Sequence, residues 1–306
     1  MHLIGYVVVL ASVLFGSMTI SLAAQIPNVD ASTAYEGESA AVNLYFSQLP
    51  QGRAGLISVS GSAVEHAEIQ VFGRATRLFR TDEGVHYGFV SAPIEQAIRR
   101  YEAFADVTYT DGSTESIRFP LDVVSGNFIQ QTVLLINNGE DELLNPEIES
   151  QELQTIFELA APVSDDALWG DQGFIAPISG ELTSPFGAVR VFNDTYRTLH
   201  TGWDFNARLG DPMVSMAGGR VVFAGLLPIR GHYILIDHGW GIYSGYAHLS
   251  LSYVTQGQRV YPGQVIGRVG STGRSTSAHA HVEMIANGNW VDVADFLKLF
   301  IRPAAQ

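Results

Sequence analysis

Hydrophobic and polar residues alternate along short stretches of the first 125 residues, with the period of two expected for half-buried strands. The run "VTYTDGSTESIRF" (107–119) alternates on both sides of Asp111-Gly112, and this dipeptide is a strong signal for a two-residue β-hairpin. "AEIQVFG" and "HYGFVSA" are further strand candidates, whereas "PIEQAIRRYEAF" suits a short helix or an irregular connection. Residues 24–125 are therefore predicted to form a small β-sandwich of immunoglobulin type.

The pattern changes to helical spacing in an acidic connector, residues 126–168. Seven acids and no base lie between residues 140 and 158. Asn145-Pro146 offers an N-cap followed by proline at the first helical position. One narrow apolar face then follows helical spacing, made of Leu153, Ile156, Phe157 and Ala160. A helix packing lightly on a domain is predicted, with its acids on a solvated face. The alternative is an inhibitory segment lying over an active site, because long connectors are sometimes functional.

Residues 169–306 are rich in apolar runs punctuated by glycine, such as "GRVVFAG", "HYILIDHG" and "GIYSGYAHLS". The whole chain is therefore predicted to be mainly β, with a short helical connector between two β units. The charge supports this division, because residues 1–164 carry 20 acids and 7 bases whereas residues 165–306 carry 11 and 10.

Composition excludes several classes of function. A net charge of −14 argues against a nucleic-acid partner, because phosphate binding needs clustered lysine and arginine. The absence of cysteine excludes disulfides, cysteine zinc sites and thiol nucleophiles. "GQRVYPGQVIGRVG" looks like the hairpins of biotinyl or lipoyl carriers, but a carrier needs a lysine at a hairpin tip. The single lysine, Lys298, lies near the C-terminus, so that hypothesis fails.

The N-terminus predicts export. "LIGYVVVLASVLFGSMTISLAA" is an apolar run, and Ser21-Leu22-Ala23 fits the small-x-small preference of an exporting peptidase. No lysine or arginine precedes the run, and its length approaches that of a membrane-spanning helix, so residues 1–23 are either a cleaved signal peptide or an anchor. Both alternatives place the rest of the chain in the periplasm, the cell envelope or the medium, and membrane contact is expected only through this segment.

Six of the nine histidines lie in the second β unit, and they carry the candidate chemistry. His279 and His281 are two apart, so in a strand both rings would point the same way. His200 and Asp204 lie where a turn enters a strand. Zinc in catalytic sites takes three protein ligands, and His200, Asp204 and one of the paired histidines could supply them. "GYAHLS" adds His248 as a candidate proton-transfer residue and Tyr246 on the same strand face. His232 and His238 are predicted to be structural.

The stretch from "LTSPFGAVRVF" through "LHTGWDFN", "GYAHLS" and "STSAHAHVE" closely resembles the lysostaphin-type (LytM-type) zinc metallopeptidases over roughly residues 174–297. The resemblance implies an antiparallel, barrel-sandwich-like β-sheet domain over residues 169–306. It also implies one Zn²⁺ on His200, Asp204 and His281, with His248 and His279 as catalytic histidines. Ala280 and Val282 stand where the family usually has leucine and an aromatic residue, and neither change removes a ligand.

Members of that family cut cross-linking peptides of bacterial peptidoglycan, so the resemblance implies a zinc metalloendopeptidase with a peptidoglycan peptide as substrate. Loops around 187–199, 226–232 and 271–278 are predicted to flank its groove, with Tyr246 and Arg274 as substrate contacts. Glu283, two residues after His281, is expected to support the site rather than act as the base. The alternative function is a non-catalytic envelope module that binds peptidoglycan or activates another hydrolase.

Overall fold

The computed structural model describes residues 25–27, 30–133, 143–192 and 196–300. Within these ranges the chain is mainly β, as predicted, with two α-helices. The predicted leader, residues 1–23, lies outside the described residues. Among the helices that are described, none combines the length and the apolar character needed to cross a membrane.

The first half of the chain forms two packed sheets. Their strands are β1 (Thr33–Glu36), β2 (Ala40–Leu44), β3 (Leu49–Pro50), β4 (Ala54–Gly61), β5 (Val64–Val71), β6 (Arg74–Arg77), β7 (Phe79–Arg80), β8 (His86–Ser91), β9 (Arg100–Tyr109) and β10 (Thr114–Val124). One sheet has the order β1-β2-β4-β8-β7 and the other β3-β10-β9-β5-β6. Alternate residues of both sheets, among them Val42, Ile57, Ile69 and Phe119, share one buried core, which is the packing of a β-sandwich.

The predicted hairpin is confirmed, but its loop has three residues instead of two. The N–H of Tyr109 donates to the carbonyl of Ser113 at 2.9 Å, which leaves residues 110–112 as the loop. Gly112 has φ +84°, the left-handed conformation that closes three-residue hairpins. The short-helix alternative for residues 93–104 is wrong: residues 92–99 form an irregular connection, and strand β9 begins at Arg100.

The remaining elements belong to the connector and the second β unit. They are β11 (Gln130–Val133), α1 (Pro146–Leu159), β12 (Leu182–Ser184), β13 (Val189–Phe192), β14 (Tyr196–Leu199), β15 (Gly202–Phe205), β16 (Pro212–Val214), β17 (Gly219–Leu227), β18 (Gly231–Gly239), β19 (Ile242–Leu249), β20 (Leu251–Ser252), β21 (Arg259–Val260), β22 (Val265–Arg268), β23 (Ala280–Ala286), β24 (Asn289–Val291) and α2 (Val293–Lys298). The largest sheet runs β12-β15-β23-β19-β18-β17-β21, with β24 also paired to β23. Two three-stranded sheets, β11-β13-β14 and β16-β22-β20, flank it.

Helix α1 begins where the sequence predicts. The side chain of Asn145 accepts a hydrogen bond from the backbone N–H of Glu147 at 2.8 Å, as an N-cap does. Toward its C-terminal end, Ile156 and Ala160 are buried against a face of the large sheet that includes Leu235. Ile156 is completely buried, so the helix is anchored more firmly than the predicted light packing.

The two β units share a hydrophobic core. Phe79 of the sandwich stacks on Trp240 with ring centroids 5.2 Å apart. Phe89, from strand β8, packs against Phe296 of α2 at 5.3 Å. All four side chains are buried within one cluster that continues into the large sheet. The boundary between the units is therefore a packed interface.

Candidate metal centre

The large sheet places three of the predicted residues side by side. Asp204 of β15 lies directly opposite His281 of β23 in the antiparallel register. His200 immediately follows β14 and precedes β15 by two residues. Gly202 permits this approach, because a Cβ there would lie 2.2 Å from the carbonyl oxygen of Val282 and 2.9 Å from Nε2 of His281. The short turn of "HTGWD" therefore needs glycine at its centre.

Three ligand atoms converge at this place. Nε2 of His200 lies 3.2 Å from Oδ1 of Asp204 and 3.0 Å from Nδ1 of His281. Nδ1 of His281 lies 2.8 Å from the same carboxylate oxygen. All three side chains are buried. A tetrahedral zinc with bonds of 2.0–2.1 Å would separate its ligand atoms by about 3.3 Å, close to this triangle.

The outer hydrogen bonds fix which ring nitrogen each histidine offers. Nδ1 of His200 lies 2.8 Å from the carbonyl oxygen of Pro185, which can only accept, so this nitrogen carries the proton. Nε2 of His281 faces Oε1 of Glu283 at 3.2 Å and donates to it in the same way. In the neutral form that metal binding requires, His200 and His281 therefore turn lone pairs toward the carboxylate of Asp204. Two nitrogen lone pairs and a carboxylate in contact are the donor set that Zn²⁺ takes, so these residues fit one Zn²⁺.

His248 and His279 lie beside this triad with their rings 4.9 Å apart. Nδ1 of His248 donates to the carbonyl of Thr272 at 2.8 Å, and Nδ1 of His279 donates to the carbonyl of Ser277 at 2.8 Å. Each ring therefore has Nε2 as its remaining nitrogen, and Nε2 of His279 is 3.5 Å from Oδ1 of Asp204. Together with His281 they form a second, overlapping group of ring nitrogens within 4.8 Å. Burial lowers the pKa of His248 well below its usual value, which keeps the ring neutral near pH 7.

Arg190 is a site residue that the sequence analysis did not identify. Its guanidinium pairs with Oδ2 of Asp204 and donates to Oγ of Ser184 at 2.9 Å. The hydroxyl of Ser184 in turn donates to Oε1 of Gln131, on strand β11, at 2.6 Å. Strand β11 lies inside the predicted connector and pairs in parallel with β13, so this part of the connector is built into the site.

Glu283 is completely buried behind the triad, as a supporting residue should be. It accepts three hydrogen bonds from Arg230, of 2.6, 2.8 and 3.1 Å, and one of 2.9 Å from the hydroxyl of Tyr233. Burial raises the pKa of the Glu283 carboxyl, but the charges and hydrogen bonds of Arg230 and His281 together outweigh burial and hold that pKa well below its ordinary value. The carboxylate is thus fixed in its charged form, ready to accept from His281.

The acids of α1 do not form a purely solvated face, and that prediction is wrong at two positions. Glu152 is buried and accepts from the backbone N–H of Ile229 at 2.6 Å and from the guanidinium of Arg230 at 2.9 Å. Glu149, one turn earlier, pairs with Arg274 at 2.9 Å. Glu149 and Glu152 are three positions apart and therefore lie on the same face of the helix, so both carboxylates reach toward the site.

A groove of about 520 Å³ lies over the triad. The three predicted loop regions contribute to its walls, together with Glu149 and Leu153 of α1. From these loops come Arg190, Phe192, Thr198, Leu199, Ile229, Arg230, Arg274, Ser275, Thr276 and Ser277.

Tyr246 does not reach the groove. It is fully buried, and its hydroxyl accepts hydrogen bonds from the N–H of Met216 at 2.8 Å and from the hydroxyl of Ser244 at 2.9 Å. The prediction that Tyr246 contacts substrate from the strand face of His248 does not agree with this burial. Tyr246 pairs with Val282, on the face opposite to His281, and the strand alternation is broken at His248, whose φ is +56°. Of the two histidines predicted to be structural, His238 is buried and hydrogen-bonded within the core, and His232 is exposed.

Comparison with known proteins agrees with this geometry. Residues 198–293 match Peptidase family M23. The DD-carboxypeptidase/endopeptidase Mpg of Neisseria meningitidis serogroup B is 43% identical over 112 residues, which make up 36% of this chain and 26% of that protein. The peptidoglycan DD-endopeptidase ShyA of Vibrio cholerae is 38% identical over 112 residues, again 36% of this chain and 26% of that protein. The chain thus spans about a quarter of the length of either relative.

A crystal structure from Pseudomonas aeruginosa assigned to peptidase M23 superposes with a TM-score of 0.61 at 23% identity, covering 83% of this chain and 96% of that one. That likeness extends beyond the metal-site sheet and shows a shared fold. The sequence match adds that residues 198–293 are similar to peptidase family M23, a family of zinc metallopeptidases.

Proposed function

We propose that the protein is a zinc-dependent metalloendopeptidase that cleaves peptide cross-links of bacterial peptidoglycan. The observation that carries this proposal is the convergence of His200, Asp204 and His281, with lone pairs facing inward, beside two further histidines at the base of a groove. The relatives named above support the substrate, since one is named as a peptidoglycan DD-endopeptidase.

In this proposal His200, Asp204 and His281 hold the metal. When bound there, Zn²⁺ would supply a Lewis acid for the scissile carbonyl and would lower the pKa of its bound water to about 7. Glu283 holds the ring of His281 in place through its Nε2–H. Arg190 pairs with the second oxygen of Asp204, which leaves Oδ1 for the metal.

His248 and His279 move the proton. The carbonyl of Thr272 accepts from Nδ1 of His248, and the carbonyl of Ser277 accepts from Nδ1 of His279. Nε2 of either ring can therefore accept a proton from the attacking water. The protonated ring can then stabilise the negative charge developing on the substrate oxygen and return the proton to the leaving amine.

The proposal includes export, because the substrate lies outside the cytoplasm. Residues 1–23 would act as signal peptide or anchor, residues 24–125 as the sandwich, residues 126–168 as the connector and residues 169–306 as the peptidase domain. The apolar run ending in Ser21-Leu22-Ala23 supports the first of these assignments.

The test is digestion of purified sacculi with the zinc-loaded protein, with and without chelator, followed by mass spectrometry of the released fragments. Chelator-sensitive release of peptides is expected, and the fragment masses name the bond. The His248→Ala variant is expected to bind zinc and to release peptide about 10²–10⁴-fold more slowly. If wild-type protein holds one zinc and binds sacculi but releases no peptide, the alternative of a non-catalytic envelope module replaces this proposal.

A further inference from the structure

Glu149 of α1 sits in a pocket made of three donors. Its Oε2 accepts from Nη1 of Arg274 at 2.9 Å and from the hydroxyl of Tyr196 at 2.6 Å. Its Oε1 accepts from the hydroxyl of Thr198. The four side chains thus form a site in which both oxygens of one carboxylate are bound.

The pocket is assembled largely without the helix. Tyr196 and Thr198 are two residues apart on strand β14, so both hydroxyls project from the same face of the strand. The guanidinium of Arg274 lies over the rings of Phe192 at 5.0 Å and Tyr196 at 5.8 Å, which orients it toward those hydroxyls. The side chain of Arg274 is only 9% exposed. A buried, stacked arginine requires an anion, because an unpaired buried charge is costly.

This pocket shares the groove with the metal centre. Thr198 is two residues before His200, and Arg274 lies in the loop that leads to His279. The pocket is therefore tied to two of the chain segments that carry the site, and a ligand held here extends along the groove toward the triad.

The contact with Glu149 is that of a charged carboxylate. Burial raises the pKa of Glu149, but the hydrogen bond and charge of Arg274 outweigh it, so the pKa lies below its ordinary value. Charge-assisted hydrogen bonds of this kind are stronger than neutral ones. The same donors serve any carboxylate of suitable reach, including one on a peptide.

We propose that Arg274, Tyr196 and Thr198 form a subsite for a free carboxylate of the substrate peptide, and that Glu149 occupies this subsite until the substrate displaces it. The proposal rests on the peptidase function proposed above and names the group by which a peptide is recognised. The carboxylate is either the C-terminal group of the peptide or a side-chain acid, and the two sources can be separated by amidating one at a time.

The test measures binding, so that it does not depend on cleavage. The zinc-loaded full chain is incubated with soluble stem peptides, purified from digested sacculi, in free-acid, C-terminally amidated and side-chain-amidated forms. Hydrogen exchange of the α1 amides around Glu149 is followed by mass spectrometry. The free acid is expected to accelerate exchange there, and the form that lacks the recognised carboxylate is expected to leave it unchanged. Equal effects from all three peptides, or no effect from any, would overturn the subsite.

Variants at two positions, with one control, sharpen the result. Glu149→Gln is expected to tighten binding of the free acid at least threefold, because the internal competitor loses its charge. Arg274→Gln is expected to weaken that binding at least tenfold, with partial recovery in Arg274→Lys. Glu158→Gln is the matched control, since Glu158 is an exposed acid of the same helix that contacts only Gln154 among the described residues.

These outcomes stay separate from those of the sacculus digestion. Carboxylate-dependent binding without peptide release would count against the endopeptidase and leave the subsite standing. Peptide release that is equally fast for free and amidated substrates would retain the endopeptidase and overturn the subsite. Thermal unfolding of each variant identifies any loss that comes from misfolding.

Discussion

Nε2 of His281 lies 3.2 Å from Oε1 of Glu283, a fully buried carboxylate two residues further along the same strand. The period of a strand places both side chains on one face, so the residue that orients the ring is supplied by the strand that carries it. Removing such a partner of a metal-binding histidine typically costs 10–100-fold in metal affinity.

Glu283→Gln is therefore expected to weaken zinc binding by about 10–100-fold, measured by competition with a chromophoric chelator. Glu181→Gln, at an exposed acid, is the control and should bind zinc like the wild type. Circular dichroism checks that the variant folds, since Arg230 keeps its second partner, Glu152. Unchanged zinc affinity in a folded Glu283→Gln protein would contradict this role.

Substitutions of different histidines in the cluster should affect zinc content and peptide-release rate differently. His200→Ala is expected to lose the bound zinc measured by atomic emission, because it removes one ligand. His248→Ala should retain one zinc per chain while its peptide-release rate falls by about 10²–10⁴-fold, the usual contribution of a general acid or base. The exposed His232 provides the control, and His232→Ala should change neither quantity. Loss of zinc from His248→Ala would assign that residue to the metal.

Buried His238 should make stability depend on pH. Burial lowers its pKa to about 4, from an ordinary value of 6.5, while Nδ1 donates to the carbonyl of Gly218. Above pH 6.5 both folded and unfolded forms are neutral at this ring and it contributes no pH dependence. Below pH 6.5 the unfolded chain takes up a proton that the folded chain refuses, so stability falls by about 1.4 kcal/mol per pH unit until about pH 4.

Urea unfolding of wild-type and His238→Gln proteins at pH 7 and pH 5 checks this expectation. The difference in unfolding free energy between the two proteins should shift by about 2 kcal/mol in favour of the variant at pH 5. If the substitution acts only by removing the hydrogen bonds of the His238 ring, it should lower the free energy of unfolding equally at both pH values. A parallel pH dependence in the two proteins would therefore show that His238 does not titrate as described.

The shared core predicts that damage to the sandwich destabilises the peptidase domain. Phe89→Ala removes a buried ring that packs on Phe296, and a loss of about 3–5 kcal/mol in the free energy of unfolding is expected. Tryptophan fluorescence reports on the second β unit, because all four tryptophans lie there, and it should show the same transition as circular dichroism. Ile98→Ala, at an exposed position, should change stability by no more than about 0.5 kcal/mol. Separate transitions for the two units would contradict a common core.

The sequence was sufficient to locate the metal centre because its signals are local. In the structure His279 and His281 lie two residues apart at the start of strand β23. The tight turn between His200 and Asp204 depends on Gly202, which lets the chain pass close to Val282 and His281. Ligands brought together by adjacent strands leave their spacing in the sequence, and the start of α1 at Asn145 was equally local.

The acidic connector was harder to interpret because its partners are remote in sequence. Glu149 and Glu152 looked solvated as members of an acid run, yet they pair with Arg274 and Arg230, which are 125 and 78 residues away. A signal was available, since both acids share a helix face with the buried Ile156. Which arginine meets which acid depends on tertiary packing, and no local pattern encodes it. Arg190 lies only 6 and 14 residues from its partners Ser184 and Asp204, but this contact too depends on how the strands pack.

The common core around Phe79, Phe89, Trp240 and Phe296 also limits how this protein can be cut and recombined. A fragment beginning at residue 169 would leave Trp240 without Phe79 and Phe296 without Phe89, and it would lose α1 from the face of the large sheet. Such a fragment would expose apolar surface and be prone to aggregation. The sandwich and the second β unit therefore form one folding unit, so a redesign of the groove should exchange its loops and keep the two units together.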